Sequence, residues 1–304
     1  MADASAITAN TFPTGLESAP QAVEVEVIAQ DGTPLAASLY APRTKVARGA
    51  ALIVPAMGVP QSYYAPFSRW LAESGLHVAT FDYRGMGRSR RVPLRQLDAN
   101  IITWASQDAA AVLHALKARA PGLPITWIGH SLGGQVVPFV SDRSGVEKII
   151  TVATGSGYWR QNAEPLRRKV WIFWFGAVPL TTPLFGYFPG KALGMVGDLP
   201  RGVVEQWRKW CLHPEYLMSE GEAVRTLFAS VTTPITAFSF ADDEMMSEEG
   251  TASIHGFYKN APRTMHRLHA SQCGLRKIGH FGFFRESMRG PLWEARLREE
   301  LALR

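Results

Sequence analysis

The sequence predicts an α/β fold: a mostly parallel central sheet flanked by helices, with an inserted aromatic-rich cap before the last strands. Three observations predict it. Short apolar, β-prone runs alternate with longer stretches of helical period. A glycine-rich turn at 129–134 joins one such strand directly to a helix. The alternation then breaks over 156–230, which holds five of the nine tryptophans. At 304 residues, 46% of them hydrophobic, the chain can bury one large core together with such an insertion.

In chain order, residues 1–20 are small and polar and lack a positively charged n-region, so they read as a flexible lead-in and not as a signal peptide. The core is expected over 21–155 and 231–304, with the cap subdomain over 156–230. Val23–Ile28 and Leu35–Tyr40 suit two strands paired antiparallel around an Asp31-Gly32 turn. Parallel strands are expected near 51–54, 78–81, 125–128 and 148–152, and helices near 64–74, 96–119 and 132–142. Pro234–Phe240 is apolar and β-prone and reads as a buried strand. No internal repeat or low-complexity tract interrupts the pattern.

The turn carries the chemistry. Gly129-His130-Ser131-Leu132-Gly133 fits Gly-x-Ser-x-Gly, with Ile125-Thr126-Trp127-Ile128 before it and a helix start after it. Strand, sharp turn, helix is the context of a nucleophile elbow. A serine on so tight a turn is strained, and Gly129, Gly133 and Gly134 give it room. The bland reading is a Gly/Ser turn without chemistry, and the partners downstream argue against it.

A serine hydroxyl needs a base, and the base needs an orienting carboxylate. With an elbow of this kind the chain order is Ser, acid, His. Of eight histidines, His280 stands apart, because Lys277-Ile278-Gly279-His280-Phe281-Gly282 is a glycine-flanked loop near the C-terminus. His130 lies inside the elbow, where its side chain points away from the serine. His114 sits on an apolar helix, His266 and His269 in a strand-like run, and His77 leads into a strand. His213 and His255 lack a flexible glycine loop. For the acid, the strand ending at Phe240 runs into Asp242-Asp243-Glu244. Asp243, followed by Glu244-Met245-Met246-Ser247, fits the frame of an acid that opens a helix. Asp242 is the alternative, and Glu244 would need a different loop. The surplus acids are expected to serve the N-terminus of the helix opened by Ser247. Backbone N–H donors for a tetrahedral oxyanion are expected from Leu132 and from Met57, in the loop Pro55-Ala56-Met57-Gly58 after an early strand.

A further stretch, Asp82-Tyr83-Arg84-Gly85-Met86-Gly87-Arg88-Ser89 after a strand, fits D-x-R-G-x-G-x-S. With the elbow and its partners, it makes the chain resemble the α/β-hydrolase superfamily over roughly 22–155 and 231–304. The branch it is most similar to is the monoglyceride-lipase and serine-aminopeptidase-like one, with its uncharacterised bacterial predicted hydrolases. The resemblance implies that Asp82 and Arg84 tie loops near the oxyanion turn and are not catalytic. Pro55 stands where that superfamily often has His.

The insertion shapes the substrate expectation. Trp159, Trp171, Trp174 and Trp207 are expected to line a substrate pocket, the alternative being that the rings form only the cap's own core. Val170–Phe188 is uncharged and approaches spanning length, but Pro179, Pro183 and Gly186 break it. A buried cap hairpin is the favoured reading, with transient contact of the cap surface with a membrane interface as a second. The segment 156–230 carries nine Lys/Arg against six Asp/Glu, which argues against capture of a free amine and for an apolar or anionic substrate.

Other classes are disfavoured. The net charge of +6 comes without a basic cluster interleaved with aromatics, so no nucleic acid partner is expected. No metal-spacing cluster and no dinucleotide fingerprint appear, so no metal and no cofactor are expected. Two cysteines, Cys211 and Cys273, suggest a reducing, cytoplasmic setting. The expectation is a serine hydrolase acting on a small-molecule ester or thioester with an apolar moiety. The alternatives are an amide or peptide hydrolase with the same triad, and a non-catalytic small-ligand-binding module on the same fold.

Overall fold

A computed structural model describes residues 20–44 and 46–302. The expected lead-in over 1–20, apart from Pro20, lies outside the described residues. The chain enters as β1 (Ala22–Ile28), which pairs antiparallel with β2 (Pro34–Tyr40). Gly32 takes the left-handed φ of 82° that their turn requires, and Asp31 Oδ1 accepts the Thr33 N–H at 3.1 Å. There follow β3 (Gly49–Val54), β4 (Leu76–Phe81), β5 (Ile125–His130) and β6 (Val146–Val152). The short β7 (Tyr187–Pro189) and β8 (Asp198–Pro200) form a separate hairpin; β9 (Ile235–Phe240) and β10 (Arg263–Leu268) return to the main sheet.

The main sheet has eight strands in the order β1-β2-β4-β3-β5-β6-β9-β10. All neighbours beyond β2 and β4 are parallel. Every residue of β3 and of β9 is buried, as strands covered on both faces must be. Alternate residues feed two cores. Leu52, Val54 and Trp127 face one side; Ile53, Ile128 and Ile150 face the other, with Phe67, Trp70, Phe283 and Trp293. The chain steps from β3 to β4 on one side, while β5 lies on the other. This switch leaves a crevice beyond the ends of β3 and β5, where Val54 and Gly129 are register neighbours.

Between β6 and β9 the chain leaves the sheet. It builds a helix over 170–185, the β7–β8 hairpin and the helices Arg201–Leu212 and Glu222–Ala229. This segment has no core of its own: Trp174, Val178, Trp210 and Phe228 belong to the same buried cluster as Val54 and Leu132.

Three expectations need correction. The helix expected over 132–142 stops at Gln135 and passes into a 3₁₀ turn, Val137–Phe139, because Pro138 has no N–H to continue it. The helix expected from 96 begins at 101, capped by Asn100, whose Oδ1 accepts the Thr103 N–H at 2.8 Å. The run 170–188 is not a buried hairpin. Its first 16 residues are one helix that carries Pro179 near its middle and Pro183 in its last turn, and ends only at Gly186 (φ 75°).

Candidate active site

Ser131 follows the last residue of β5, at φ 49° and ψ −110°, a conformation that L-residues rarely hold. Its neighbours make that strain tolerable by lacking side chains. A Cβ on Gly129 would lie 2.4 Å from the Gly133 carbonyl, and one on Gly133 would lie 2.0 Å from the Val54 oxygen. The turn is pinned from below. Ser131 N–H donates to the Val152 carbonyl at 2.9 Å, and Thr154 Oγ1 donates to the Ser131 carbonyl at 3.0 Å.

His280 is buried, with Nδ1 2.9 Å from Asp243 Oδ2 and 3.2 Å from Oδ1. A carboxylate there makes Nδ1 the protonated nitrogen and leaves the Nε2 lone pair free. Asp243 is itself fixed, because its Oδ1 accepts the N–H groups of Met245 and Met246 at 2.7 and 2.8 Å. The neighbouring acids have other partners. Asp242 accepts the N–H groups of Ile278 and Gly279 at 2.7 and 3.1 Å, and Glu244 accepts the His280 N–H at 3.2 Å. Three consecutive carboxylates thus hold one loop: the outer two its backbone, the middle one its imidazole. This corrects the helix-capping role expected of the surplus acids. The cap of the helix Glu248–Gly256 is Ser247, whose Oγ accepts the Gly250 N–H at 2.9 Å.

The loop after β3 lies beside the elbow. Its Ala56 N–H is committed to Tyr64 Oη at 2.9 Å, and Met57 is the next residue along. Gly58 has φ 74°, and a Cβ there would meet the Val196 carbonyl at 2.0 Å, so the insertion packs directly on this loop. Asp82 steadies the same region: its Oδ1 accepts the Gln61 N–H at 2.8 Å and its Oδ2 the Arg88 N–H at 2.9 Å. Arg84 pairs with buried Asp108 at 2.7 Å and reaches Asp31 in the β1–β2 turn.

His130 has a place that no sequence signal announced. Its Nε2 lies 3.1 Å from the His280 carbonyl, which can only accept, so Nε2 carries the proton. Nδ1 then accepts from Tyr64 Oη at 2.9 Å, and that hydroxyl accepts from Ala56 N–H. Burial, and secondarily the nearby His280, hold its pKa well below the ordinary histidine value, so the ring is neutral. A buried chain therefore runs from the β3 loop, through Tyr64 and His130, to the backbone of His280.

Ser131, His280, Met57 and Leu132 open on one cavity of about 560 Å³. Its other walls are mostly apolar, from Leu166, Val170, Phe173, Trp174, Val196 and Trp207. Of the four tryptophans expected at a substrate pocket, Trp174 and Trp207 are among the residues that line this cavity. Trp159 and Trp171 are not among the lining residues. Trp159 packs edge-on to Phe175 with Arg160 over its ring, and Trp171 is 51% exposed, its Nε1 donating to the Arg168 carbonyl. Aromatic density gave no indication of which rings turn inward. The lining residue Met195 carried no periodic or motif signal, and Met245 and Phe281 stand in the acid and histidine loops without a signal that they would line a cavity.

The sheet order, the strained serine at a strand end and the histidine–carboxylate pair are the arrangement that α/β-fold serine hydrolases share. The chain has the fold of the α/β hydrolases. A family model described as serine aminopeptidase, S33, matches residues 45–181. An uncharacterised protein of Escherichia coli K12, YfhR, is 30% identical over 145 residues, which cover 45% of this chain and 49% of that one. The match thus spans about half the length of that relative. Among solved structures, the Pyrococcus furiosus esterase PF2001 has a similar fold, with TM-score 0.58 and 16% identity, covering 97% of this chain and 94% of that one. An acylaminoacyl peptidase of Pyrococcus horikoshii gives TM-score 0.57 at 11% identity over 93% of this chain and 42% of that one. A carboxyl esterase of Bacillus coagulans gives 0.55 at 15% identity over 82% and 90%.

Proposed function

We propose that the protein cleaves a carboxylic ester or thioester with an apolar moiety, through an acyl-enzyme. Ser131 Oγ attacks the carbonyl carbon while His280 Nε2 takes its proton. The N–H groups of Leu132 and Met57 stabilise the oxyanion. As the tetrahedral intermediate collapses, His280 delivers the proton to the leaving oxygen or sulfur. Water, deprotonated by His280, then attacks the acyl carbon, and Ser131 leaves as the product acid forms. Asp243 holds the imidazole in the Nδ1–H tautomer and stabilises its charged form. The segment 156–230 caps the site and excludes water.

The observation that carries this reading is that strained Ser131 and Asp243-held His280 share the wall of one apolar cavity. An ester is favoured over an amide at a free N-terminus because recognition of an ammonium group requires a carboxylate, and no Asp or Glu is among the described lining residues. Lys169 is among them instead. A reducing, cytoplasmic setting is in keeping with Cys211 and Cys273, which are both unpaired.

The test is turnover of p-nitrophenyl esters of rising acyl length, with Ser131→Ala alongside. A rate optimum at intermediate length, lost in the variant, is expected. Ester rates equal to those of Ser131→Ala, with turnover of aminoacyl amides, would replace this reading with the aminopeptidase one.

A further inference from the structure

A helix that covers a core needs one apolar stripe, and its other side meets water with polar residues. The helix over 170–185 breaks this rule. Val170, Trp174, Val178 and Thr182, each one turn apart, form its buried side. Its outer side carries Trp171, Ile172, Phe175, Leu180, Leu184 and Phe185, each between 48% and 77% exposed. No charged residue occurs between 170 and 188. A continuous apolar face of this kind on a folded chain marks a contact surface.

Two features identify the occupant. The first is charge. Arg167, Arg168 and Lys169 lead directly into the helix, and Lys191 follows it. From 156 to 200 there are five basic residues and two acidic ones, Glu164 and Asp198. Both acids already have basic partners, Arg167 and Arg168 for Glu164 and Arg90 for Asp198. A second copy docked isologously on this face would set one basic rim near another without free acids to answer it. The second feature is continuity with the cavity. Ile172 and Met195 are 53% and 43% exposed and also line the cavity, so the apolar face leads into the site. No helix among the described residues is long and apolar enough to cross a membrane, so the face can lie on a bilayer but not span it.

We propose that this helix face seats on an anionic lipid bilayer, its apolar side chains among the acyl chains and its basic rim on the headgroups. An apolar ester could then pass from the bilayer into the cavity without crossing water. That benefit rests on the hydrolytic reading, whereas docking itself does not, because vesicle binding requires no turnover.

The test is flotation of the full chain with vesicles of phosphatidylcholine alone or mixed with phosphatidylglycerol, with its oligomeric state measured by sedimentation. A monomer that binds the anionic vesicles, loosens in high salt and loses about ten-fold or more in affinity in Leu180→Ser/Leu184→Ser is expected. Circular dichroism melting confirms that this variant folds. Arg168→Glu should weaken binding to anionic vesicles and leave the weak binding to neutral ones unchanged. A wild-type dimer that the double variant turns into monomers, with no vesicle binding, would assign the face to a second copy and overturn the proposal. A monomer that ignores both vesicle types would overturn it equally.

Discussion

The elbow and the insertion helix both line one cavity, yet their backbones are constrained very differently. A Cβ on Gly133 would come within 2.0 Å of the Val54 oxygen, whereas one on Gly176 in the insertion helix would find its nearest neighbour at 4.0 Å. On the elbow side, each backbone atom has one place, set by close approach and strain. On the side of the insertion helix, apolar volume fills the space: Phe173 and Trp174 pack edge-on against Trp207. Chemistry at a carbonyl carbon demands the first kind of construction. Holding an apolar chain demands only the second.

The sharpest way to break the comparison is the same substitution in both places. Gly133→Ala is expected to abolish esterase activity and to destabilise the fold by about 3 kcal/mol or more, since backbone must move. Gly176→Ala is expected to be neutral or to stabilise by about 0.5–1 kcal/mol, as alanine favours a helix interior. Urea unfolding and ester turnover of both variants check this. Equal losses would remove the distinction.

The next effect separates adjacent carboxylates. Asp243→Asn should lower kcat by about 10⁴-fold, because an amide at Nδ1 no longer fixes the tautomer. Asp242→Asn, which touches only the loop backbone, should cost about ten-fold or less. Steady-state kinetics decide it, and the reverse ranking would move the acid to Asp242.

A smaller effect is expected from the buried chain. Tyr64→Phe removes the acceptor of Ala56 N–H and the donor to His130 in one step. The reading predicts a fall in kcat of about 10- to 100-fold with KM nearly unchanged, since Tyr64 and His130 position the reacting groups and are not among the residues that line the apolar pocket. A rise in KM alone would contradict it.

The smallest effect is on stability against pH. Burial lowers the pKa of His255 to about 4 and holds that of His130 well below the ordinary histidine value. Both unfolded histidines bind protons near pH 6.5, so the stability they contribute is present above that pH and lost as pH falls toward 4. Asp108 acts the other way. Burial, opposed by Arg84, raises its pKa to about 6, so between about 6 and 4 the folded state takes up its proton first. Two histidines against one carboxyl leave a net loss, and Tm should be lower at pH 5 than at pH 7. In His255→Gln the drop should shrink. A Tm that is flat or rises on acidification would show that these burials are not maintained in solution.

How much was legible follows the same division. Ser131, His280 and Asp243 stood out because glycines and carboxylates at fixed offsets are local signals. Most of the sheet was legible because its strands are wholly or alternately apolar; the edge strand β10, with Arg263, His266 and Arg267, is neither. His130 was seen to point away from the serine, but its partners lie 66 and 150 positions away, and no local pattern records such a chain. Composition alone points Trp159 and Trp171 to the pocket, and composition carries no direction. The helix over 170–185 is not legible because prolines usually end helices, and here Pro179 and Pro183 are tolerated. The short helix after Ser131 was overextended past Pro138 for the opposite reason.

The central claim is that Ser131 is an activated nucleophile facing two backbone donors. Intact-mass analysis after treatment with a fluorophosphonate probe tests it most directly, with Ser131→Ala and His280→Ala alongside. The account predicts one adduct on the wild type, none on Ser131→Ala and far slower labelling of His280→Ala. A folded wild type that stays unlabelled, or an adduct that persists in Ser131→Ala, would contradict it.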